Sequence, residues 1–596
     1  YWPALIALTR ILEQSSARAV RILAIYPRNE LLKDQFAEAW QQSRALDDYL
    51  MQNGKSKRPI QIGALFGDVP QSERDVAHGQ VYTVMSCPQS PCQGQLHWHK
   101  TPTALVVQCS LCQTVIDQQT IGLTRTQMCR QPPDILFTTS EMLNQRMNDP
   151  QLQRLFGIQA AEKPFLLLLD EVHTYQGSSG AQAAYLLRRW RHKSQSTAHV
   201  VGLSATLEDA ALFFAELIGT TPTQVRLIEP HPSEMQHADA EYLLVLKGDP
   251  VSQTALLSTT IQTSMLTHRV LDTKPQQGKR SISNGTWGQR TFVFTDDLDL
   301  NNRLYFQLAD AEGWYPQTRG QLSPKKTDAL ASLRVHADQR SIQGGQHWGI
   351  SEKIGHCLVA AQGNSRAYVG RTSSQDGGVH QAADVVVATA SLEVGFNDPT
   401  VGAVIQHKAP RDMAAYLQRK GRAGRARGMR PWMIVVLSDF GRDRSVFQRY
   451  ERLLHPQLKR QQLPMSNTHI QKMQAAMAVL DWLGQQHPNI SIWAVLKSPE
   501  RYQTRLKPLQ DTLERLINTP SRQRRLQNQI NQILQLTPSQ SDVVFWQPPA
   551  RFSCILCPCC GVGFRPVGRI IGRSGRSSRK DHRHVRILFH MRCLPS

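Results

Sequence analysis

The sequence predicts an α/β protein of two tandem parallel-sheet domains, with a cysteine-paired ribbon inserted in the first and a helical C-terminal extension after the second. Three observations predict it. Short runs at residues 166–169, 200–203 and 385–388 are apolar throughout and give way at once to acids or hydroxyls, as strands buried on both faces of a parallel sheet do at its carboxyl edge. At 596 residues the chain exceeds what one hydrophobic core sustains. Two close cysteine pairs sit in turn-like sequence within the first half, and beyond residue 444 the apolar spacing becomes helical.

Taken in chain order, residues 21–26 form a strand, Pro27 a turn, and residues 29–35 the start of a helix. Such a turn offers backbone N–H groups and Arg28 to the phosphates of a bound strand. The insertion follows at about residues 80–130. Cys87 and Cys92 are separated by four residues, Cys109 and Cys112 by two, and the pairs by sixteen. Among eleven clustered cysteines in a basic chain, this spacing favours a tetrahedral Zn²⁺ site over disulfides. With four ligands filled the zinc is structural; His97 and His99 are alternative ligands on paper. Residues 133–143 repeat the strand-then-helix pattern, with Thr138, Thr139 and Ser140 as neutral phosphate ligands. Alone, either segment also reads as an ordinary strand-to-helix connection with an N-cap.

Residues 165–173 carry the densest chemistry, because an apolar strand delivers Asp170, Glu171 and His173 to its carboxyl end. An oxygen pair suits Mg²⁺, and Glu171 is placed to orient or deprotonate an attacking water. The chain then hydrolyses a nucleoside triphosphate. By itself the run fits equally a buried strand ending in a polar turn, and its company decides. A second apolar strand ends in Ser204-Ala205-Thr206, and Gln418-Arg419-Lys420-Gly421-Arg422-Ala423-Gly424-Arg425 lies far along the chain. In the second half, residues 290–296 read as a strand, and Thr389 and Ser391 follow another, their hydroxyls set to meet a backbone phosphate. The expected domains are 1–230, a polar linker at 231–288, a second domain at 289–450, helices over 451–550 and a cysteine-rich basic tail at 551–596. In that tail Cys554, Cys557, Cys559 and Cys560 stand too close together for one tetrahedral loop.

Over roughly residues 20–430 these segments resemble, in kind and in order, the motifs of superfamily 2 helicases of the DEAD/DEAH type. The resemblance implies two RecA-like domains that use ATP and Mg²⁺. It implies that Asp170 holds the metal, Glu171 activates water, and His173, Gln418 and Gly395 serve the nucleotide site. Ser204 and Thr206 then couple nucleotide state to strand movement, and Arg422 and Arg425 reach the γ-phosphate. The arginines have an independent physical case, since a planar, permanently charged fork stabilises charge on a transferring phosphoryl group. Read alone, Gly-Arg repeats also suit a solvated or RNA-binding segment. Asn397 stands where relatives usually carry Asp.

The family also needs a glycine-rich turn ending Gly-Lys-Thr ahead of residue 21, yet residues 1–20 contain no glycine. Gly54-Lys55-Ser56 follows a polar helical stretch and is no substitute. The expectation is a fragment of a longer protein, hydrolysing ATP poorly on its own.

A net charge of +22 and a pI near 9.7 favour a polyanionic partner, although ribosomal and membrane-surface proteins share that balance. No apolar run reaches membrane-spanning length, and a cytoplasmic location is expected. The function expected is an ATP-dependent DNA helicase or translocase of DNA repair or phage defence. Gln418 and the cysteine ribbon favour DNA over RNA. An RNA helicase and a nucleic-acid-binding fragment without ATPase activity are the alternatives.

Overall fold

The computed structural model describes Trp2, Leu5 and residues 18–545, apart from 55–57, 90–91, 93, 102–103, 205–206, 230, 235–240, 249–255, 273–282, 317–321, 325–366, 373–381, 390–397, 457 and 459–460. Thr206, Ser391, Gly395, Asn397 and the cysteine-rich tail therefore lie outside the described residues. The chain forms two compact units, Tyr1–Leu227 with Arg460–Ser596, and Ile228–Lys459.

The first unit is built on a six-stranded sheet of order β6-β2-β7-β1-β8-β9. Its strands are β1 Ile22–Tyr26, β2 Ile62–Leu65, β6 Ile121–Gly122, β7 Ile135–Thr139, β8 Leu166–Leu169 and β9 His199–Gly202. Every neighbouring pair is parallel, so all carboxyl ends emerge on one edge. The central strands are apolar because helices cover both faces. All four leucines of β8 are buried, each stabilising the fold by roughly 1.5–3 kcal/mol. The ribbon leaves after β2 as β3 Leu96–Lys100, β4 Leu105–Cys109 and β5 Val115–Ile116, an antiparallel sheet of order β3-β4-β5.

The second unit repeats the plan with order β10-β17-β16-β11-β15-β14, again parallel at every pair. These are β10 Tyr242–Lys247, β11 Arg290–Phe294, β14 Val369–Thr372, β15 Val385–Ala388, β16 Val401–His407 and β17 Trp432–Leu437. A hairpin of β12 Trp314–Pro316 and β13 Leu322–Pro324 lies beside it in sequence. The two parallel-sheet domains, the ribbon and the helical extension are those that the sequence predicts.

The helices that matter here are α1 Asn29–Gln52, α2 Arg125–Arg130, α3 Ser140–Arg146 and α4 Gly177–Ser194 in the first unit, α5 Met413–Lys420 in the second, and α6 Thr468–Gln486, which returns to the first. Short polar side chains start several of them. Thr139 Oγ1 accepts from Met142 N at 3.2 Å to cap α3, and Asn467 Oδ1 accepts from His469 N at 3.0 Å to cap α6.

Helix α6 lies against α4 through a buried polar cluster. Asp481 accepts from Arg189 Nε at 2.6 Å and from Asn148 Nδ2 at 2.7 Å, while Arg189 Nη1 donates to Asn144 at 2.9 Å and Gln474 at 3.0 Å. Burial works against the charge on Asp481, but Arg189 and Lys193 overcome it and hold the carboxyl below its usual range. Burial lowers Lys193 to about 8. Such a cluster is tolerable only because its members satisfy one another. Among the described residues no helix is long and apolar enough to cross a membrane.

Candidate nucleotide and nucleic-acid site

The carboxyl edge of the first sheet brings the predicted acids together. Asp170 follows β8 and is 8% exposed; its Oδ1 accepts from the backbone N–H of Glu171 at 2.8 Å. Burial pushes its carboxyl up to about 6, the mark of a carboxylate taken from water without a full counter-charge. A divalent cation would supply that charge, and the carboxylates of Asp170 and Glu171 are the hard oxygen ligands that Mg²⁺ takes. Glu171 has φ 50° and ψ 50°. This left-handed backbone is uncommon for a residue with a side chain.

From Glu171 the contacts run onward to the next strand. His173, buried in the short turn Val172–Thr174, places Nδ1 3.3 Å from Glu171 Oε2 and 3.4 Å from Ser204 Oγ. Ser204 sits just past the end of β9 and is exposed. Glu171, His173 and Ser204 thus form one polar chain across neighbouring strand ends. Arg28 stands at the start of α1 just beyond β1, and Thr139 ends β7, so both share this edge.

Thr138 does not serve as expected. It is fully buried and its Oγ1 donates to Leu65 O at 2.9 Å. It lies inside β7, in register with Leu65, and ties that strand to β2, whereas Thr139 and Ser140 at the strand's end are half-buried.

In the second unit Thr389 follows β15 at that sheet's carboxyl edge, half-buried, with its N–H donating to Thr372 O at 3.4 Å. Gln418 is half-buried on α5, a helix capped by Asp412. Its neighbour Arg419 is a core residue: Nη1 donates to Asp296 Oδ1 at 2.7 Å and Gln406 Oε1 at 2.6 Å. Of the two predicted fingers, Arg422 is 9% exposed, whereas Arg425 is exposed and its Nε donates to Gly421 O at 3.2 Å.

The structure adds a turn that the motif reading passed over. Residues 66–68 follow β2 on the same edge as Asp170. Arg125 Nη2 donates to Phe66 O at 3.0 Å and Gly67 O at 3.3 Å, and Lys33 Nζ stands 3.1 Å from Asp68 Oδ2. A Cβ built on Gly67 meets nothing within 4 Å, so the turn faces open space. Its signal in the sequence was Gly67-Asp68-Val69-Pro70 directly after a strand.

The four ribbon cysteines converge on one point. Their sulfurs all lie within 4.8 Å of one another, with Cys87–Cys112 at 3.5 Å and Cys92–Cys109 at 3.6 Å. Tetrahedral Zn²⁺ with bonds of about 2.3 Å places its sulfurs about 3.8 Å apart, so the donor set fits. Backbone N–H groups of Gly94 and Leu111 donate to Cys92 Sγ and Cys109 Sγ, each at 3.4 Å, and a Cβ on Gly94 would stand 2.3 Å from Cys109 Sγ. Burial pushes the Cys87 thiol up, while hydrogen bonds with Thr114 draw exposed Cys112 down to about 6. The set is complete without either histidine, and His97 instead pairs Nδ1 with Gly79 O at 3.0 Å.

Residues 370–427 match the helicase conserved C-terminal domain. The chain is 29% identical over 311 residues to the Lhr helicase/uracil glycosylase of Escherichia coli (strain K12), covering 50% of this chain and 18% of that protein. It is 26% identical over 326 residues to the Lhr helicase/probable uracil glycosylase of Mycolicibacterium smegmatis, again covering 50% of this chain and 18% of the relative. The chain therefore spans under a fifth of the length of these relatives. Among solved structures, the DUF1998 helicase MrfA bound to DNA aligns with TM-score 0.46 and 14% identity over 80% of this chain and 47% of that one. The matched helicase C-terminal domain lies within the second unit, and each of the two helicase relatives aligns with half of this chain.

Proposed function

We propose that the protein is an ATP-driven DNA helicase or translocase that works in DNA repair or phage defence. The observation that carries this reading is the convergence of Asp170, Glu171, His173 and Ser204 at one sheet edge, with Arg28 and Thr139 beside them. That edge is where open parallel sheets bind nucleotides and phosphates. Two relatives that align over half the chain are named as helicases, which supports the same reading.

Bound Mg²⁺ would withdraw charge from the transferring phosphoryl group. Asp170 holds the metal, and Glu171, fixed by its left-handed backbone, orients the attacking water and takes its proton. His173 passes the state of Glu171 to Ser204, and so to the strand-contacting surface. Arg422 and Arg425 stabilise charge on the phosphoryl oxygens, while Arg28, Thr139 and Thr389 bind the strand backbone. The ribbon cysteines hold one structural zinc ion.

Steady-state ATP hydrolysis without nucleic acid, and with single-stranded DNA, duplex DNA and RNA, tests the proposal. DNA should stimulate turnover most. Stimulation by RNA alone would convert the reading to an RNA helicase, and binding without turnover would reduce it to a nucleic-acid-binding protein. Arg425→Ala should abolish hydrolysis while largely sparing DNA binding.

A further inference from the structure

The turn at residues 66–68 and the ribbon enclose a cavity of about 260 Å³ that the nucleotide chemistry does not use. Its inner wall is aromatic: Tyr82 and Trp98, 3% and 4% exposed, meet edge to face with ring centroids 4.9 Å apart. Val69 and Val76 complete an apolar floor, and exposed Thr83 and Asp75 stand at the mouth. The wall is fixed in place, because Gly79 N donates to Trp98 O at 2.7 Å, Trp98 N to Gln80 O at 2.8 Å and Tyr82 N to Leu96 O at 2.7 Å. The segment before β3 is thereby laced to a strand whose first residue, Leu96, pairs with Cys109 of the cysteine knuckle.

Size and charge restrict the occupant. Drug-sized ligands and cofactors take roughly 300–1,000 Å³, so the cavity is too small for a nucleoside triphosphate and suits a single flat heterocycle. Residues 76–116 contain no Asp or Glu and only one Lys. Two carboxylates border the cavity, Asp75 and the Lys33-paired Asp68. Phosphate is therefore disfavoured inside, whereas carboxylates accept hydrogen bonds from exocyclic amino groups. A slot with an aromatic wall and polar groups at its mouth is the environment that unstacked bases occupy in proteins.

We propose that this cavity receives one unstacked, amino-bearing nucleobase of the strand bound along the carboxyl edge of the first sheet. The inference rests on the nucleic-acid reading above and names a subsite within it. Its position follows from the turn at residues 66–68, which belongs both to that edge and to the cavity. The ribbon then acts as a wall that grips the strand by a base, while the edge residues grip its backbone.

A single-stranded oligonucleotide carrying 2-aminopurine at successive positions, bound to the full chain, tests the proposal. One position should report an unstacked base, and Thr83→Trp, which fills the mouth from an exposed site, should abolish that report. An abasic site at the same position should weaken binding to the unaltered protein by about 5- to 150-fold, and thymine there should bind less well than cytosine. This second measurement needs no variant and so is independent of whether Thr83→Trp folds. An oligonucleotide that does not bind at all removes the nucleic-acid reading and the cavity together. Binding in which every position reports and tolerates the abasic site alike removes the cavity alone.

Discussion

At the scale of single residues, Glu171 joins the chemistry to the fold. Its left-handed backbone sets a carboxylate 3.3 Å from His173 Nδ1, beside the buried carboxylate of Asp170. Glu171→Gln in the full protein should lower ATP turnover by about 100-fold or more while nucleotide binding persists; hydrolysis and binding of a fluorescent nucleotide measured side by side check this. A second residue gives a pH signature. His407, buried at the end of β16 with Nδ1 2.7 Å from Thr260 Oγ1, is pushed down to about 4, chiefly by burial and then by Lys408. Its folded value lies below the unfolded one, so the stabilisation is complete above about pH 6.5 and fades as pH falls towards 4, by about 3 kcal/mol at most. Urea unfolding of the second unit should weaken over that window, and His407→Gln should flatten the dependence. Thr138 shows where residue-level reading fails. Two adjacent threonines look alike as phosphate ligands, but Thr138 lies within β7, buried and bonded to β2, while Thr139 ends the strand and is half-buried.

At the scale of elements, the strand ends were legible because each motif is a local pattern, an apolar run followed at once by its polar groups. The ribbon was legible for the same reason, since the spacing of four cysteines needs no knowledge of the rest of the chain. The turn at residues 66–68 was not, because its place beside Asp170 comes from the order β6-β2-β7-β1-β8-β9, in which β2 lies three positions from β8. The ribbon also carries a prediction. Cys109→Ser should lower bound zinc by one ion per chain, read by elemental analysis. Chelation should lower the melting temperature of the unaltered protein but leave the variant less affected. Equal zinc content in the two proteins would show that the knuckle binds none.

At the scale of the whole molecule, the chain leaves the first unit at Leu227 and re-enters it at Arg460, so the second unit is an insertion in the first. Asp481→Ala would strand Arg189 and Lys193 without their anion and should destabilise the first unit by about 3–5 kcal/mol, measured by urea unfolding; a loss below about 1 kcal/mol would show the cluster to be dispensable. No sequence pattern announces this pairing, because Arg189 and Asp481 stand 292 residues apart and each reads locally as an ordinary charge on an amphipathic helix. The separation becomes a delay during synthesis. At roughly 5–20 residues per second, a ribosome that has released Arg189 needs about 15–60 s to deliver Asp481. Throughout that interval α4 carries two cations, Arg189 and Lys193, that await their partner, and a nascent chain in that condition is one for chaperones to hold.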